Sequence, residues 1–223
     1  MIERLLPPPV ARAEAFEDPP ERDLFPEEEA IVARSVEKRR LAFATARMCA
    51  RRALAEIGVP PSPILSGPKG EPVWPDGVVG SITHCDGYRA AAVARARDMA
   101  SVGIDAEENG RASDDVLRTI ALPEEREWIR GADPDAEVKW GTLLFSAKES
   151  VYKAWFPLAR RWLGYEDATI SIDPEAGTFE ARLLVPGPVV NGAPLTGFSG
   201  RWLVESGLVA TAIALPAGRD PAV

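Results

Sequence analysis

The sequence predicts an α+β fold in which a helix-then-sheet order occurs twice, and three observations lead there. A helical stretch at 26–57 precedes short apolar segments cut by GPKGEP, WPDG and CDGY, the punctuation of a small antiparallel sheet. Helical stretches at 116–130 and 142–163 then precede the strand-like runs ATISI, TFEARLLV, RWLVES and GLVATAIAL. Residues 88–94 (YRAAAVA) also resemble residues 208–214 (LVATAIA) at an offset of 120, which suggests an internal duplication. Alternating small apolar residues are common in buried strands, so this match serves only to place a boundary near residue 110. The expected units are 1–110 and 111–223.

Each element has a local reason. Residues 1–30 are Pro-rich and acidic (PPPV, EDPPERD, FPEEEA) and read as an extended arm or strand before the first helix. From Pro26 to Ile57, Phe43, Ala46, Ala50, Leu54 and Ile57 share one helical face and Arg40, Arg47 and Arg51 another. Gly58 and Pro60 end that helix. The stretch Thr142–Leu163 carries SAKESVYKAWF and is expected to stop near Pro157 or Gly164.

Composition excludes several classes of function. At 223 residues with 46% hydrophobic side chains, the chain can fill its own core. No apolar run approaches the roughly 18 residues needed to span a bilayer. The start MIERLLPPPV lacks the basic and apolar regions of a signal peptide, so a cytoplasmic protein is expected. Cys49 and Cys85 lack metal-ligand spacing and are expected to be reduced. A net charge of −8 argues against nucleic acid as a partner. Yet 38–52 holds six basic residues (Lys38, Arg39, Arg40, Arg47, Arg51, Arg52) and no acid, a patch sized for phosphate.

Three segments carry candidate chemistry. In SVGIDAE (101–107) strand alternation puts Gly103, Asp105 and Glu107 on one face. Two carboxylates so placed repel, and the fold must expose them, share a proton between them or bind a cation. Oxygen donors with no His or Cys nearby favour Mg²⁺ over zinc. For an arbitrary D-x-E the solvated end of a strand is the commoner explanation; Gly103, which leaves room for close approach, tips the balance. In FSAKESVYKAWF, Glu149 and Lys153 stand one helical turn apart with Lys148 beside them. Alone they would be an ordinary surface pair worth about 0.3–0.5 kcal/mol, but Glu149 can complete a three-carboxylate cage. The sole histidine, His84, lies with Thr83 in GSITHCDGY, where both can donate hydrogen bonds to a phosphate.

The order and spacing of FATARMCARRAL, GEPVWPDGVVGSITHCDGY, GIDAE and FSAKESVYKAWFPL resemble the Sfp-type and EntD-type 4'-phosphopantetheinyl transferases over most of the chain. The paired motifs G-I-D-x-E and K-E-S-x-x-K are more specific together than either alone. The resemblance implies two similar α+β subdomains related by a pseudo-twofold axis, with coenzyme A and Mg²⁺ in the cleft between them. It implies Mg²⁺ held by Asp105, Glu107 and Glu149, and attack by a carrier-protein serine on the β-phosphate. Glu149 is then the candidate general base and Lys153 the group that stabilises the phosphates, with Lys148 matching the motif as a further coenzyme A-binding residue in a less defined role. Thr83 and His84 match positions that hold coenzyme A phosphate, and Arg47, with Arg40 the weaker choice, would neutralise the 3'-phosphate. The carrier would be an acyl or peptidyl carrier protein of a fatty acid, polyketide, nonribosomal peptide or siderophore synthase.

Two positions depart from the family pattern. Glu71 stands where many relatives carry Lys before Pro, so Lys69 is the candidate substitute. Phe145 stands where the family's namesake has Trp. Other classes compatible with the residues are a non-catalytic coenzyme A or nucleotide-binding module and a Mg²⁺-dependent phosphohydrolase. A transferase needs an exposed rim for its carrier, and Arg160, Arg161 and Trp162 are candidates. A monomer is expected, because the duplication supplies both halves of the cleft.

Overall fold

The computed structural model describes residues 1–20, 23–133 and 135–218. In chain order the elements are β1 (Ala11–Ala15), α1 (Pro26–Val32), α2 (Glu37–Glu56), β2 (Leu65–Ser66), β3 (Pro72–Val73), β4 (Val78–Cys85), β5 (Tyr88–Arg95) and β6 (Met99–Glu108). There follow α3 (Asp114–Ile120), α4 (Pro123–Gly131), α5 (Trp140–Ala159), β7 (Ala168–Asp173), β8 (Thr178–Leu183), β9 (Val189–Val190), β10 (Ala193–Pro194), β11 (Gly197–Glu205) and β12 (Leu208–Pro216). The mixed helix and strand content agrees with the expected class. Part of the expected N-terminal arm is strand β1; its residues 21 and 22 lie outside the described residues. No described helix is long and apolar enough to cross a membrane.

Two expected helices are each broken in two. The stretch from Pro26 divides because the chain turns at Ser35, whose N–H bonds Val32 O, and restarts from an extended Val36. The turn brings α1 back onto α2, where buried Glu28 accepts from Arg51 and from the Ile64 N–H at 2.8 Å. The stretch 116–130 divides before Pro123, which holds Leu122 extended. Pro157 does not stop α5. It sits in the last turn, and the chain leaves the helix at Arg160, whose backbone is left-handed (φ 52°).

Strands β1, β5 and β4 form one antiparallel sheet, in the order β1-β5-β4; the larger sheet runs β6-β12-β11-β8-β7. The segment 101–107 was expected within the small N-terminal sheet. Instead β6 pairs antiparallel with β12 along its length, from Ser101 opposite Leu215 to Glu108 opposite Leu208. Its link to β4 is made by side chains: Ser81 Oγ accepts from the Ile104 N–H at 3.1 Å and Thr83 Oγ1 from the Ala106 N–H at 3.0 Å. Two hydroxyls thus stand in for ladder bonds that a neighbouring backbone would otherwise supply.

Alternation sorts the strands into layers. Tyr88, Ala90, Ala92 and Ala94 of β5 meet Val102, Ile104 and Ala106 of β6 and Leu208, Ala210 and Ala212 of β12 in one buried cluster. The opposite face of β5, Ala91 and Val93, packs on Cys49, Ala50, Ala53 and Leu54 of α2. On the far side of the larger sheet, Leu143, Leu144, Val151 and Trp155 of α5 pack on Phe179, Val209 and Ile213. The layers are helix, sheet, sheet, helix.

Close packing of α5 on β6 depends on Gly103. A Cβ there would overlap the Ser150 carbonyl oxygen and come within 2.8 Å of Ala154 N. The room that Gly103 leaves is therefore filled by a helix backbone. Hydroxyls fasten the same interface: Ser101 Oγ donates to Ala154 O at 2.7 Å, and Thr211 Oγ1 lies 2.9 Å from Ser146 Oγ and 2.6 Å from Ser150 Oγ. We expect Gly103→Ala to cost about 2 kcal/mol or more in urea unfolding, since helix and strand must part to admit a methyl group; an unchanged midpoint would contradict this packing.

Beneath α5, Lys148 and Glu125 form an ion pair at 2.8 Å with both side chains about 3% exposed. Removing one partner strands a buried charge. Glu125→Ala and Lys148→Ala should each cost about 3 kcal/mol or more, with the double variant costing less than the two added together, in equilibrium denaturation.

Candidate functional site

The site residues come from three elements: the end of β4, the middle of β6 and the third and fourth turns of α5. Because α5 rides directly on Gly103, Lys153 lands over Asp105, the next residue of that strand face. Lys153 Nζ donates to Asp105 Oδ1 at 2.7 Å and to Ile104 O at 3.1 Å. Thr83 Oγ1 donates to the same Oδ1 at 3.3 Å, while Asp105 Oδ2 is buried with no hydrogen-bond partner. An ionised carboxylate oxygen in that condition is costly unless a cation or donor reaches it.

Glu107 lies further along the same strand face. Burial, followed by the neighbouring charge of Asp105, pushes its carboxyl up to about 7; Lys153 opposes the shift and Glu149 adds to it. Its proton is therefore held more tightly than an ordinary carboxyl's, a sign of negative charge gathered in a small volume. Glu149, half-buried on α5, has its Oε1 engaged by the Tyr165 hydroxyl at 2.7 Å. Among the described residues no group of three His, Cys, Asp or Glu side chains stands close enough to hold a metal ion. The three-carboxylate cage expected from sequence is thus not closed among the described residues; Asp105 is engaged by Lys153 and Glu149 by Tyr165. The donor set still has the chemistry of a hard divalent cation: carboxylate oxygens only, with one buried and unpartnered.

Three expected phosphate ligands are used differently. Lys148 was expected to contact coenzyme A, but its ammonium is buried and gives all three N–H groups to Tyr165 O (2.8 Å), Ala168 O (3.1 Å) and Glu125 Oε2 (2.8 Å). Residue 148 points about 100° around the helix from residue 149, into the core. Thr83 is 2% exposed, and its only proton goes to Asp105 rather than outward. Arg47, expected as the first choice for the 3'-phosphate, is 5% exposed; its Nε bonds Ile64 O at 2.8 Å and its Nη2 reaches Ser66 Oγ at 3.4 Å. Burial lowers that guanidinium to about 10.

Arg40, the weaker choice, differs from Arg47. Its Nε is buried without a partner, leaving a donor for an anion. His84 is exposed at the end of β4. The protein around its base, then the charges of Lys153, Arg89 and Arg39, push its pKa below the ordinary imidazole range. Lys69 is exposed on the turn between β2 and β3, where its backbone N–H donates to Glu71 at 2.9 Å.

Tyr165 and Glu125 were not singled out in the sequence. Glu125 had a faint signal: it stands two residues after Pro123 and reaches back to the Leu122 N–H at 2.7 Å, as a first-turn cap does. Tyr165 had none, since it lies sixteen residues from its partner, beyond the end of α5. Next to Glu149 a cavity of about 80 Å³ is lined by Val151, Tyr152, Trp162, Leu163 and Tyr165, with Lys148 and Glu149 as its charged residues.

Comparison with known proteins adds to this geometry. Residues 27–94 match the model of the 4'-phosphopantetheinyl transferase N-terminal domain, and residues 101–189 that of the 4'-phosphopantetheinyl transferase superfamily. The chain is 58% identical to 4'-phosphopantetheinyl transferase Svp of Streptomyces mobaraensis, over 98% of this chain and 91% of that protein. It is 52% identical to PptT of Mycobacterium tuberculosis over 92% of both, and 51% identical to Npt of Nocardia iowensis over 96% of this chain and 99% of the relative. The matches cover β4, β6 and α5, the elements that carry the Asp105, Lys153 and Glu149 constellation, and the chain belongs to the 4'-phosphopantetheinyl transferase superfamily.

Proposed function

We propose that this chain transfers the 4'-phosphopantetheine group of coenzyme A to a serine hydroxyl of an acyl or peptidyl carrier protein, releasing 3',5'-adenosine bisphosphate. The observation that carries the reading is the buried, unpartnered Oδ2 of Asp105 beside Lys153, in a chain whose relatives are named for this transfer. On this reading Asp105, Glu107 and Glu149 would hold Mg²⁺, which would neutralise charge on the pyrophosphate as the phosphoanhydride breaks.

The protein's own residues have distinct parts. Lys153 uses two N–H groups on Ile104 O and Asp105, leaving a third for a phosphate oxygen. His84 and Arg40 present donors toward the phosphates, and Lys69 stands where it can add a charge from the β2–β3 turn. The serine Oγ forms a bond to the β-phosphorus as the bond from that phosphorus to the bridging oxygen breaks. The serine proton passes to Glu149, directly or through water, and the nucleotide leaves with the bridging oxygen. Trp162, 66% exposed, and its neighbours Arg160 and Arg161 suit the carrier.

We also propose two subdomains related by a pseudo-twofold axis, 1–110 and 111–223, with β6 of the first completing the sheet of the second, in a cytoplasmic monomer. What supports this is that the similar segments 88–94 and 208–214 lie in β5 and β12, which share one buried cluster.

Purified protein with coenzyme A and Mg²⁺ is expected to add one phosphopantetheine to an apo carrier protein by mass spectrometry, and a chelator should stop the reaction until Mg²⁺ is restored. Asp105→Ala and Glu149→Ala should each abolish transfer with unchanged circular dichroism. Unmodified carrier, with phosphopantetheine released into solution, would identify a hydrolase instead.

His84 gives a second test because it is the sole histidine and its NMR signals stand alone. A phosphate dianion favours imidazolium, so coenzyme A should raise the His84 pKa, and affinity should increase as pH falls through that pKa. An unmoved titration curve in saturating coenzyme A would remove His84 from the phosphate site.

A further inference from the structure

The loop after α5 is built with more internal constraint than a connection between a helix and a strand requires. It turns through a 3₁₀ segment at Tyr165–Asp167, closed by Asp167 Oδ2 accepting from the Gly164 N–H at 2.8 Å. From beneath, the buried Lys148 ammonium binds two of its carbonyls, Tyr165 O and Ala168 O. That ammonium is itself held by Glu125, whose other oxygen accepts from the Ile170 N–H at 2.7 Å where the loop enters β7. The Tyr165 ring leans on Phe145 of α5 with centroids 6.3 Å apart. Backbone and ring are thus both fixed, and the hydroxyl is delivered to Glu149 Oε1 at 2.7 Å.

We propose that Tyr165 is a positioning residue for Glu149: its hydroxyl holds one carboxylate oxygen and so fixes the orientation of the carboxylate that the site uses. The inference rests on the reading of Glu149 as a site carboxylate. A glutamate on a helix surface samples several rotamers, and a donor on Oε1 restricts it to those within reach of that donor. Partners of this kind orient metal-ligating carboxylates, and their loss typically lowers metal affinity or activity at least tenfold. The buried Lys148–Glu125 pair then acts on the site from a distance by fixing the loop that carries Tyr165, which accounts for a lysine next to Glu149 that faces away from any ligand.

The test is Tyr165→Phe, which removes the oxygen and keeps the ring on Phe145, compared with Tyr165→Leu, which removes both. Mn²⁺, bound by the complete protein and followed by electron paramagnetic resonance, should bind about tenfold more weakly to Tyr165→Phe. With Mg²⁺ and an apo carrier its kcat should fall about tenfold, while KM for coenzyme A stays within about twofold and the melting temperature is unchanged. Wild-type Mn²⁺ affinity and kcat in Tyr165→Phe, whether or not Tyr165→Leu is impaired, would overturn the proposal and leave Tyr165 a packing residue. A wild type that loads no carrier would sink the proposed reaction alone, because the Mn²⁺ comparison still decides the role of Tyr165.

Discussion

Helix α5 lies so close to β6 that at residue 103 there is no space for a side chain, and the rest of the site follows from that contact. A helix normally stands about 10 Å from a sheet, separated by side chains. Here the strand contributes glycine and the helix contributes Ala147, Ser150 and Ala154, so the backbones approach and Ser101 can bond Ala154 O. With the helix that low, a lysine three residues beyond Ser150 has no choice but to meet the strand's next inward residue, Asp105. The ion pair is a consequence of depth as much as of charge attraction.

Depth also explains the local electrostatics. A protein of net charge −8 would be expected to repel a phosphate-rich ligand. Around Asp105 the acids are partly masked by Lys153, and the charges of Lys153, Arg89 and Arg39 act on His84 at the end of β4, while nearby Lys38 is paired with Asp86 at 2.8 Å. Some of the basic patch is withdrawn from ligand binding, since Arg51 is paired with buried Glu28 and Arg47 ties the chain near Ile64 to the helix. A count of positive residues along α2 therefore overstates the charge available to a ligand.

What was legible in the sequence was the pattern with a period. Alternation in SVGIDAE put Gly103, Asp105 and Glu107 on one face, and the four-residue spacing put Glu149 and Lys153 on another; both faces meet in the structure. The runs 88–94 and 208–214 are strands. What was not legible were the relations that need the third dimension. Nothing in the local pattern says that β6 leaves its sequence neighbours to pair with β12, since parity fixes which face is buried and not which strand lies alongside. Nor does a run of arginines reveal which of them fold inward, because a half-buried guanidinium and a solvated one look alike in sequence. The breaks at Ser35 and before Pro123 were written in the chain, yet an unbroken helix satisfied the apolar spacing equally well.

Lys148 is the most instructive of these cases, because its motif and its geometry point to different purposes. Within K-E-S-x-x-K the first lysine is one position, about 100° of rotation, from the glutamate, so the two cannot serve the same face. Glu149 and Lys153, four apart, do serve one face. A helix laid flat on a sheet must bury one side and expose another, and residue 148 falls on the buried side. A buried ammonium needs three acceptors to offset its lost hydration, and the chain supplies them from Glu125 and from two carbonyls of the loop that carries Tyr165. The motif therefore combines a lysine that shapes the wall of the site with a lysine and a glutamate that line it, and the order of the three along one helix turn follows from where the sheet lies beneath.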